Sequence, residues 1–227
     1  MKNRVLSQAS VRRAIQLVVD DYRIRNQTLT IIQVGACNGS IDNDPLHEIV
    51  KDQCHVSAHL VEAVNWLYDD LVKVMTPYAD HIKCYNLAIG AKDENRNFYY
   101  VSEQYGEEHP DVESWKKYQI GSLTDKHLRV WIPEKYIQVM EVQCISPATF
   151  FKIAALEPQD LNVLITDTEG FDGEIVTEFL NITSPELIIY EHKIMSTYEN
   201  NKMFALLEKY SYEYKIIGED ILAIRSS

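Results

Sequence analysis

Between Gln8 and Tyr22 the apolar residues Val11, Ala14, Ile15, Val18, Val19 and Tyr22 recur at the three- and four-residue spacing of one helix face, with Ser7 or Ser10 available as a cap. After the polar break Arg25-Asn26-Gln27 comes Leu29-Thr30-Ile31-Ile32-Gln33-Val34, a β-branched run that ends at Gly35 and predicts a strand buried on both faces. The pattern then repeats. Asn43-Asp44-Pro45 sets a cap and a first-turn proline ahead of Leu46, Ile49 and Val50. Residues 56–61 predict a second strand ending at Glu62, and Val64, Leu67, Tyr68, Leu71 and Met75 share a helix face until Thr76-Pro77 stops it. A third strand is predicted over residues 82–89, before Gly90.

The alternation lapses over residues 98–145, where Tyr99-Tyr100-Val101 and residues 137–145 look strand-like around a polar middle. A segment this long inside an α/β unit is an insertion, and its Tyr99, Tyr100, Tyr105, Trp115, Tyr118 and Trp131 suit either a substrate lid or a local core. Alternation resumes with a helix over residues 147–156 behind Ser146, a strand at 161–166 running into Asp167-Thr168-Glu169-Gly170, and a helix over 173–180. A strand at 187–190 then precedes Glu191-His192, a helix carries Met203, Leu206 and Leu207, and a hairpin turns at Gly218-Glu219-Asp220. Repeated strand-helix units imply a mainly parallel sheet covered on both faces, with ligands beyond the carboxyl ends of the strands. Gly35, Glu62, Gly90, Asp167, Glu169 and Glu191 fall at those ends.

The 227 residues suit one domain spanning the whole chain. A formal charge of −12 opposes nonspecific attraction to nucleic-acid phosphates or an anionic membrane, so a small or neutral partner is expected. Lys116, Lys117, Lys126 and Arg129 form the one basic group, and it reads as a solvated face. Scattered Cys37, Cys54, Cys84 and Cys144 form no C-x-x-C pair, and the first 30 residues hold no signal-peptide core. No window approaches a membrane span, and the expected location is cytoplasmic. Oligomeric state is left open, a homo-oligomer included.

The loop Gly35-Ala36-Cys37-Asn38-Gly39-Ser40 leaves a buried strand with glycines that let backbone approach a ligand. Glu62, ending the next strand, offers two oxygens to the hydroxyls of a ribose, as the acidic residue of dinucleotide folds does. Together they imply a nucleoside; separately each suits a turn or a helix cap. A nicotinamide dinucleotide would ask for G-x-G-x-x-G, whereas this turn lacks the middle glycine, which favours an amino-acid tail and hence S-adenosylmethionine.

These residues carry a resemblance. The stretches Ile31-Ile32-Gln33-Val34-Gly35-Ala36-Cys37-Asn38-Gly39, Val61-Glu62, Leu164-Ile165-Thr166-Asp167-Thr168-Glu169-Gly170-Phe171-Asp172, and Pro185 through Glu191-His192 resemble the FkbM-type methyltransferase family, with Gln33 where many relatives place Asp. The resemblance implies a class I, Rossmann-like α/β fold: a mainly parallel seven-stranded sheet with an antiparallel last strand, helices on both faces, and the 98–145 insertion before the fourth core strand. It implies O-methylation of a hydroxyl on a small molecule or sugar. Carried over, Gly35, Ala36, Cys37, Asn38 and Gly39 line the methionine part of the cofactor, Glu62 and Ala63 its ribose, and Asn86, Leu87 and Ala88 its adenine, with Asp167 beside it. Asp42 and Asp44 lie close enough to touch it, although Asp44 before Pro45 also suits a helix cap. Deprotonating a hydroxyl calls for a carboxylate or imidazole, for which Asp167, Glu169, His127 and His192 are the candidates. Asp167, Glu169, Glu191 and His192 are also the one group suited to a divalent metal, which is not favoured. A noncatalytic cofactor-binding protein and a nucleotide-dependent oxidoreductase are the alternative readings.

Overall fold

The computed structural model describes residues 1–8, 10–39, 44–51, 53–118 and 120–226, apart from the side chains of residues 114 and 118. Ser40, Asp42 and Asn43, and the side chain of Tyr118, therefore lie outside the described part.

In chain order the elements are α1 (Lys2–Leu6), α2 (Val11–Arg25), β1 (Leu29–Val34), α3 (His47–Val50), β2 (Val56–Glu62), α4 (Asn65–Met75), β3 (Ile82–Asn86), β4 (Ala88–Ile89) and β5 (Glu94–Val101). There follow α5 (Glu103–Glu108), α6 (Ser114–Tyr118), β6 (Gly121–Ser122), α7 (Leu128–Trp131), β7 (Ile137–Ile145), α8 (Pro147–Ala154) and β8 (Leu161–Thr166). The chain closes with α9 (Asp172–Leu180), β9 (Leu187–Glu191), α10 (Thr197–Lys209), β10 (Tyr212–Ile217) and β11 (Asp220–Arg225).

All residues of β1 are buried because it lies at the sheet's centre, parallel to β2 on one side and β8 on the other. Alternation across the strand sorts its side chains. Leu29 and Ile31 join Ala14, Ile15 and Val18 of α2 on one face, while Ile32 and Val34 join Phe150 of α8 and Phe179 of α9 on the other. The seven strands run in the order β10-β11-β9-β8-β1-β2-β3, with β11 antiparallel to both neighbours. This is the class I methyltransferase arrangement that the resemblance implies.

Pairing in register places Val34 beside Val61 and Thr166, and Thr166 beside Tyr190. The carboxyl ends of β1, β2, β8 and β9 therefore share one edge. Because β11 runs backwards against β9, Asp220 at its start pairs with Glu191 at the end of β9, which brings the hairpin turn to that same edge.

A second sheet, in the order β4-β7-β5-β6, forms the inserted region. Its spine is the antiparallel pairing of β5 with β7, from Glu94 opposite Cys144 to Val101 opposite Ile137. Val101, Tyr105, Ile120, Leu128, Ile132 and Tyr136 give it a core of its own, with Tyr99 and Trp115 packed against it. Tyr105 and Tyr136 thus serve packing inside the insertion, whereas Tyr100 faces the main cavity.

Three expectations need correction. The strand expected over 82–89 is two strands in two sheets, because Asn86 turns its amide onto the Glu62 and Ala63 carbonyls and ends the pairing with β2. The inserted sheet takes in residues before 98, with β5 beginning at Glu94. The helix expected after Pro45 is a single turn, α3, and Asp44 accepts from the N–H groups of Leu46 and His47 at 2.7 and 2.8 Å. Among the described residues no helix is long and apolar enough to cross a membrane.

Candidate active site

A cavity of about 460 Å³ opens at the shared carboxyl edge, between the main sheet and the insertion. Its wall includes Gly35, Cys37, Glu62, Ala63, Leu87 and Ala88 on one side, Asp167 and Glu191 on another, and Phe98, Tyr100, Ile120 and Leu123 from the insertion.

Gly35 takes the left-handed φ of +86°, and a Cβ placed there would stand 1.9 Å from the backbone oxygen of Asp167. Only a residue without a side chain lets the β1 and β8 ends come together in this way. Its N–H and that of Ala36 both donate to the Val61 carbonyl at 3.0 Å. Cys37 also has a positive φ, 51°, which turns its N–H onto Oε2 of Glu62 at 2.9 Å. The other oxygen, Oε1, accepts from Val64 N–H at 2.7 Å.

Glu62 therefore braces the loop after β1 against the entry to α4. Burial raises its carboxyl to about 7, against the pull of the Val64, Cys37 and Ala63 N–H groups. A carboxylate has about four lone-pair sites, so two N–H contacts fix its orientation and leave acceptor capacity toward the cavity. The Cys37 thiol is pushed up by burial and then by Glu62, and is a poor nucleophile.

The remaining residues of the loop face elsewhere. Ala36 is fully buried in the core beside Leu46 and Ile49. Gly39, at φ +73°, seats the loop on α4, where an added Cβ would meet Leu71 at 2.9 Å and Met75 at 3.2 Å. Neither Asn38 nor Asn86 lines the cavity; Asn86 instead holds the Glu62 and Ala63 carbonyls at 3.0 and 3.3 Å.

Carboxylates gather around the end of β8. Asp167 lines the cavity, and its carboxyl is raised well above the usual range, by enclosure and then by the charges of Asp172, Glu169, Glu191 and Asp220. Because its side chain is open to the cavity, the neighbouring charges weigh more in that direction than loss of water does. Glu191 is raised to about 8 by burial and then by Glu169 and Asp172. Burial lifts Asp172 and Asp220 to about 6 each.

Glu169 is committed differently. It holds a left-handed φ of 52°, and its Oε2 lies 3.0 Å from Nε2 of His127 in the insertion. The buried Ser122 hydroxyl donates to the Glu169 carbonyl at 2.9 Å. These two contacts dock the insertion on the turn after β8. Glu169, His127 and His192 do not line the cavity, and His192 contributes its backbone N–H to the Glu219 carbonyl at 2.9 Å. Asp167, Glu169 and Glu191 offer oxygens within 4.8 Å of one another, the one such group among the described residues, and His192 is outside it.

The cavity also receives residues that the sequence did not single out as site residues: Arg12, Gln33, His47 and Trp66, and Glu219 and Asp220 of the hairpin. The hairpin pair could have been found, since a reversed last strand must begin where β9 ends.

The chain was compared with known proteins. Residues 33–214 match the methyltransferase FkbM domain. Among curated proteins, none matches. Solved structures of similar shape include a precorrin-6y C5,15-methyltransferase from Geobacter metallireducens GS-15, 10% identical, covering 97% of this chain and 92% of that one at a TM-score of 0.47. They also include an O-methyltransferase from Bacillus cereus in complex with SAH, 7% identical over 93% of this chain and 80% of that one at 0.46. A fibrillarin/Nop5p complex is 13% identical over 87% and 73% at 0.43. With the domain match extending from the end of β1 into β10, across the glycine loop, Glu62 and the carboxylates after β8, the chain belongs to the FkbM family of S-adenosylmethionine-dependent methyltransferases.

Proposed function

We propose that this methyltransferase transfers the methyl group of S-adenosylmethionine to a hydroxyl of a small polyhydroxylated acceptor, a sugar or a molecule of similar chemistry. The observation that carries the reading is one cavity in which the Gly35 loop and Glu62 meet the carboxylates Asp167 and Glu191, both of raised proton affinity, beneath apolar and aromatic side chains of the insertion. The residues fit the cofactor. Backbone at Gly35 and Cys37 leaves room for its methionine part, Glu62 accepts from the ribose hydroxyls, and Leu87 and Ala88 give the adenine an apolar wall. Asn86 supports that wall by orienting Glu62 and Ala63.

The cofactor supplies an electrophilic methyl group. When bound, it would give that group to an acceptor oxygen, the S–C bond leaving its electron pair on sulfur, and this chain's residues would align the hydroxyl and take its proton. The hydroxyl proton passes to Asp167, whose carboxyl is poised by its neighbours to take one, and Glu191 shares the load. Phe98, Tyr100, Ile120 and Leu123 exclude water and give the apolar face of a sugar ring a surface to lie on. The insertion acts as the lid, latched by the Ser122 and His127 contacts to Glu169. Asp167, Glu169 and Glu191 are near enough to share an ion, but Glu169 is already engaged by His127, and transfer is expected without a divalent ion. The charge of −12 favours small neutral acceptors over nucleic acid or an anionic membrane.

Calorimetry with S-adenosylhomocysteine, followed by transfer of labelled methyl to a pool of sugars and small alcohols, tests the reading. S-adenosylhomocysteine should bind, and Asp167→Asn should slow transfer by roughly 10²- to 10⁴-fold, the range for a general base. Transfer should survive EDTA. Absence of binding would refute the cofactor assignment, an unimpaired Asp167→Asn the base, and loss under EDTA restored by Mg²⁺ the metal-free route. Binding without transfer to any acceptor would mark a noncatalytic protein.

A further inference from the structure

The register of the main sheet sets three carboxylates in a row along its edge. Asp220 is the cross-strand partner of Glu191 in the antiparallel pair of β11 with β9, so the two side chains rise from one face of the sheet. Thr166 of β8 lies beside Tyr190, and the residues that follow them, Asp167 and Glu191, continue the row toward β1. At its other end Ile217 of β10 stands opposite Asp220 and closes the row with an apolar side chain. All four residues line the cavity. With neighbouring strands about 4.8 Å apart, like charges so placed repel one another and weaken the pairing.

Among the described residues no cation answers this row. The carboxyls of Asp167, Glu191 and Asp220 have no ion pair and no hydrogen bond there, and Oε2 of Glu191 is shut off from solvent as well. After burial, Glu191 is raised by the charges of Glu169, Asp172, Glu219 and Asp220, and Asp220 by those of Glu219 and Asp172. Lys193 pairs with Glu219 and does not line the cavity. Lys117, which does line it, donates Nζ to the Pro110 carbonyl at 2.7 Å. Arg12, the other lining cation, is on α2 and is not among the charges that Asp220 feels. An enclosed acceptor left open in a cavity wall costs the fold about as much as a lost hydrogen bond, and its retention beside two more unpaired carboxylates points to a cationic donor on the ligand.

We propose that the methyl acceptor carries a protonated amine besides the hydroxyl that is methylated, as an amino sugar or a similar amino alcohol does, and that Glu191 and Asp220 hold this ammonium. The inference rests on the methyl-transfer reading above and narrows its acceptor. An ammonium has three N–H donors, enough to bridge carboxylates on neighbouring strands, and the two oxygens of Glu191 let it serve the ammonium and Asp167 together. Asp167, the member of the row in contact with the Gly35 loop, stays free for the hydroxyl proton. A nitrogen that keeps its proton has no lone pair to offer, so the methyl group goes to oxygen. The rings of Phe98 and Tyr100 in the same cavity add attraction for a cation.

The test measures, by calorimetry on the whole chain loaded with S-adenosylhomocysteine and in EDTA, the binding of D-glucosamine, N-acetyl-D-glucosamine and D-glucose at a pH where the amine is protonated. EDTA keeps a divalent ion from supplying the countercharge. D-glucosamine should bind about tenfold more tightly than either neutral sugar, the effect of one charge-assisted hydrogen bond. Asp220→Asn keeps the volume, removes a like charge and should fold; it should cut that preference about tenfold while S-adenosylhomocysteine binds within about twofold of the parent chain. Where labelled methyl is transferred to D-glucosamine, mass spectrometry should find it on oxygen. Equal binding of the three sugars, binding of none, a preference that Asp220→Asn leaves intact, or methyl on nitrogen overturns the proposal, while S-adenosylhomocysteine binding keeps the cofactor reading. A chain that does not bind S-adenosylhomocysteine overturns that reading, and the proposal with it.

Discussion

Replacing Gly35 by alanine isolates the close approach of the β1 and β8 ends. The added Cβ would lie 1.9 Å from the Asp167 carbonyl oxygen and 2.9 Å from its carbon, both backbone atoms that no rotamer change can remove. Relieving the contact to 3.0 Å needs the two strand ends to part by about 1 Å. The adjacent bond from Asp167 N–H to the Val34 carbonyl, 3.0 Å long, would then be stretched out of range. Holding alanine at a left-handed φ costs about 1–2 kcal/mol, and losing one backbone hydrogen bond about 0.5–1.5 kcal/mol, so a loss of roughly 2–3 kcal/mol is expected. Gly218→Ala is the control, because Gly218 has φ +64° with nothing within 4 Å of an added Cβ. It should cost only the torsional part, about 1–2 kcal/mol. Urea unfolding of both variants gives the comparison. Equal losses would refute the reasoning, since the clash would then contribute nothing.

Glu62→Gln turns one acceptor into an amide N–H₂ that must face either Cys37 N–H or Val64 N–H, and should cost about 1–3 kcal/mol in urea while weakening S-adenosylhomocysteine; unchanged stability would show that the brace is not formed. The pH dependence follows from carboxyls whose folded values lie above their unfolded ones: Glu62 from 4.5 to about 7, Glu191 from 4.5 to about 8, and Asp172 and Asp220 from 3.8 to about 6. The folded chain holds protons that the unfolded chain has released, so stability is greatest below about pH 4 with respect to these groups and is lost as pH rises toward 8. Urea midpoints should therefore fall between pH 5 and 8, and a flat profile would contradict the assigned shifts.

The main sheet was legible because β1, β2, β8 and β9 are covered on both faces, and near-continuous apolar runs are what such strands require. The inserted sheet was harder to read for the opposite reason. In β5 only Val101 is fully buried, so Glu94, Asn95 and Asn97 break any apolar run, and the strand's start was placed late. The end of β3 was misplaced because the residue that stops it, Asn86, acts through its side-chain bonds to Glu62 and Ala63 and not through any break in hydrophobicity. Within the glycine loop, sequence identified the segment but not the direction of each side chain. Ala36 faces the core and Cys37 the cavity because of loop torsions, including the positive φ at Cys37, that no residue pattern announces.

The Asp167-Thr168-Glu169-Gly170 stretch shows why a short motif can be recognised before its parts are understood. Left-handed Glu169 and Gly170, at φ 52° and 105°, reverse the chain at once after β8. That reversal lets buried Asp172 accept from Thr168 N–H at 3.2 Å and close the turn. It leaves Asp167 facing the cavity, while Glu169, with an oxygen within 4.8 Å of those of Asp167 and Glu191, pairs with His127 and, through its carbonyl, accepts from Ser122. Three carboxylates within six residues therefore have three separate tasks: one for the cavity, one for the insertion and one for the turn itself. From sequence Asp167 and Glu169 read alike, as candidate bases and as part of one metal group with Glu191 and His192. Their separation arises from two consecutive left-handed residues, of which only the glycine could be anticipated.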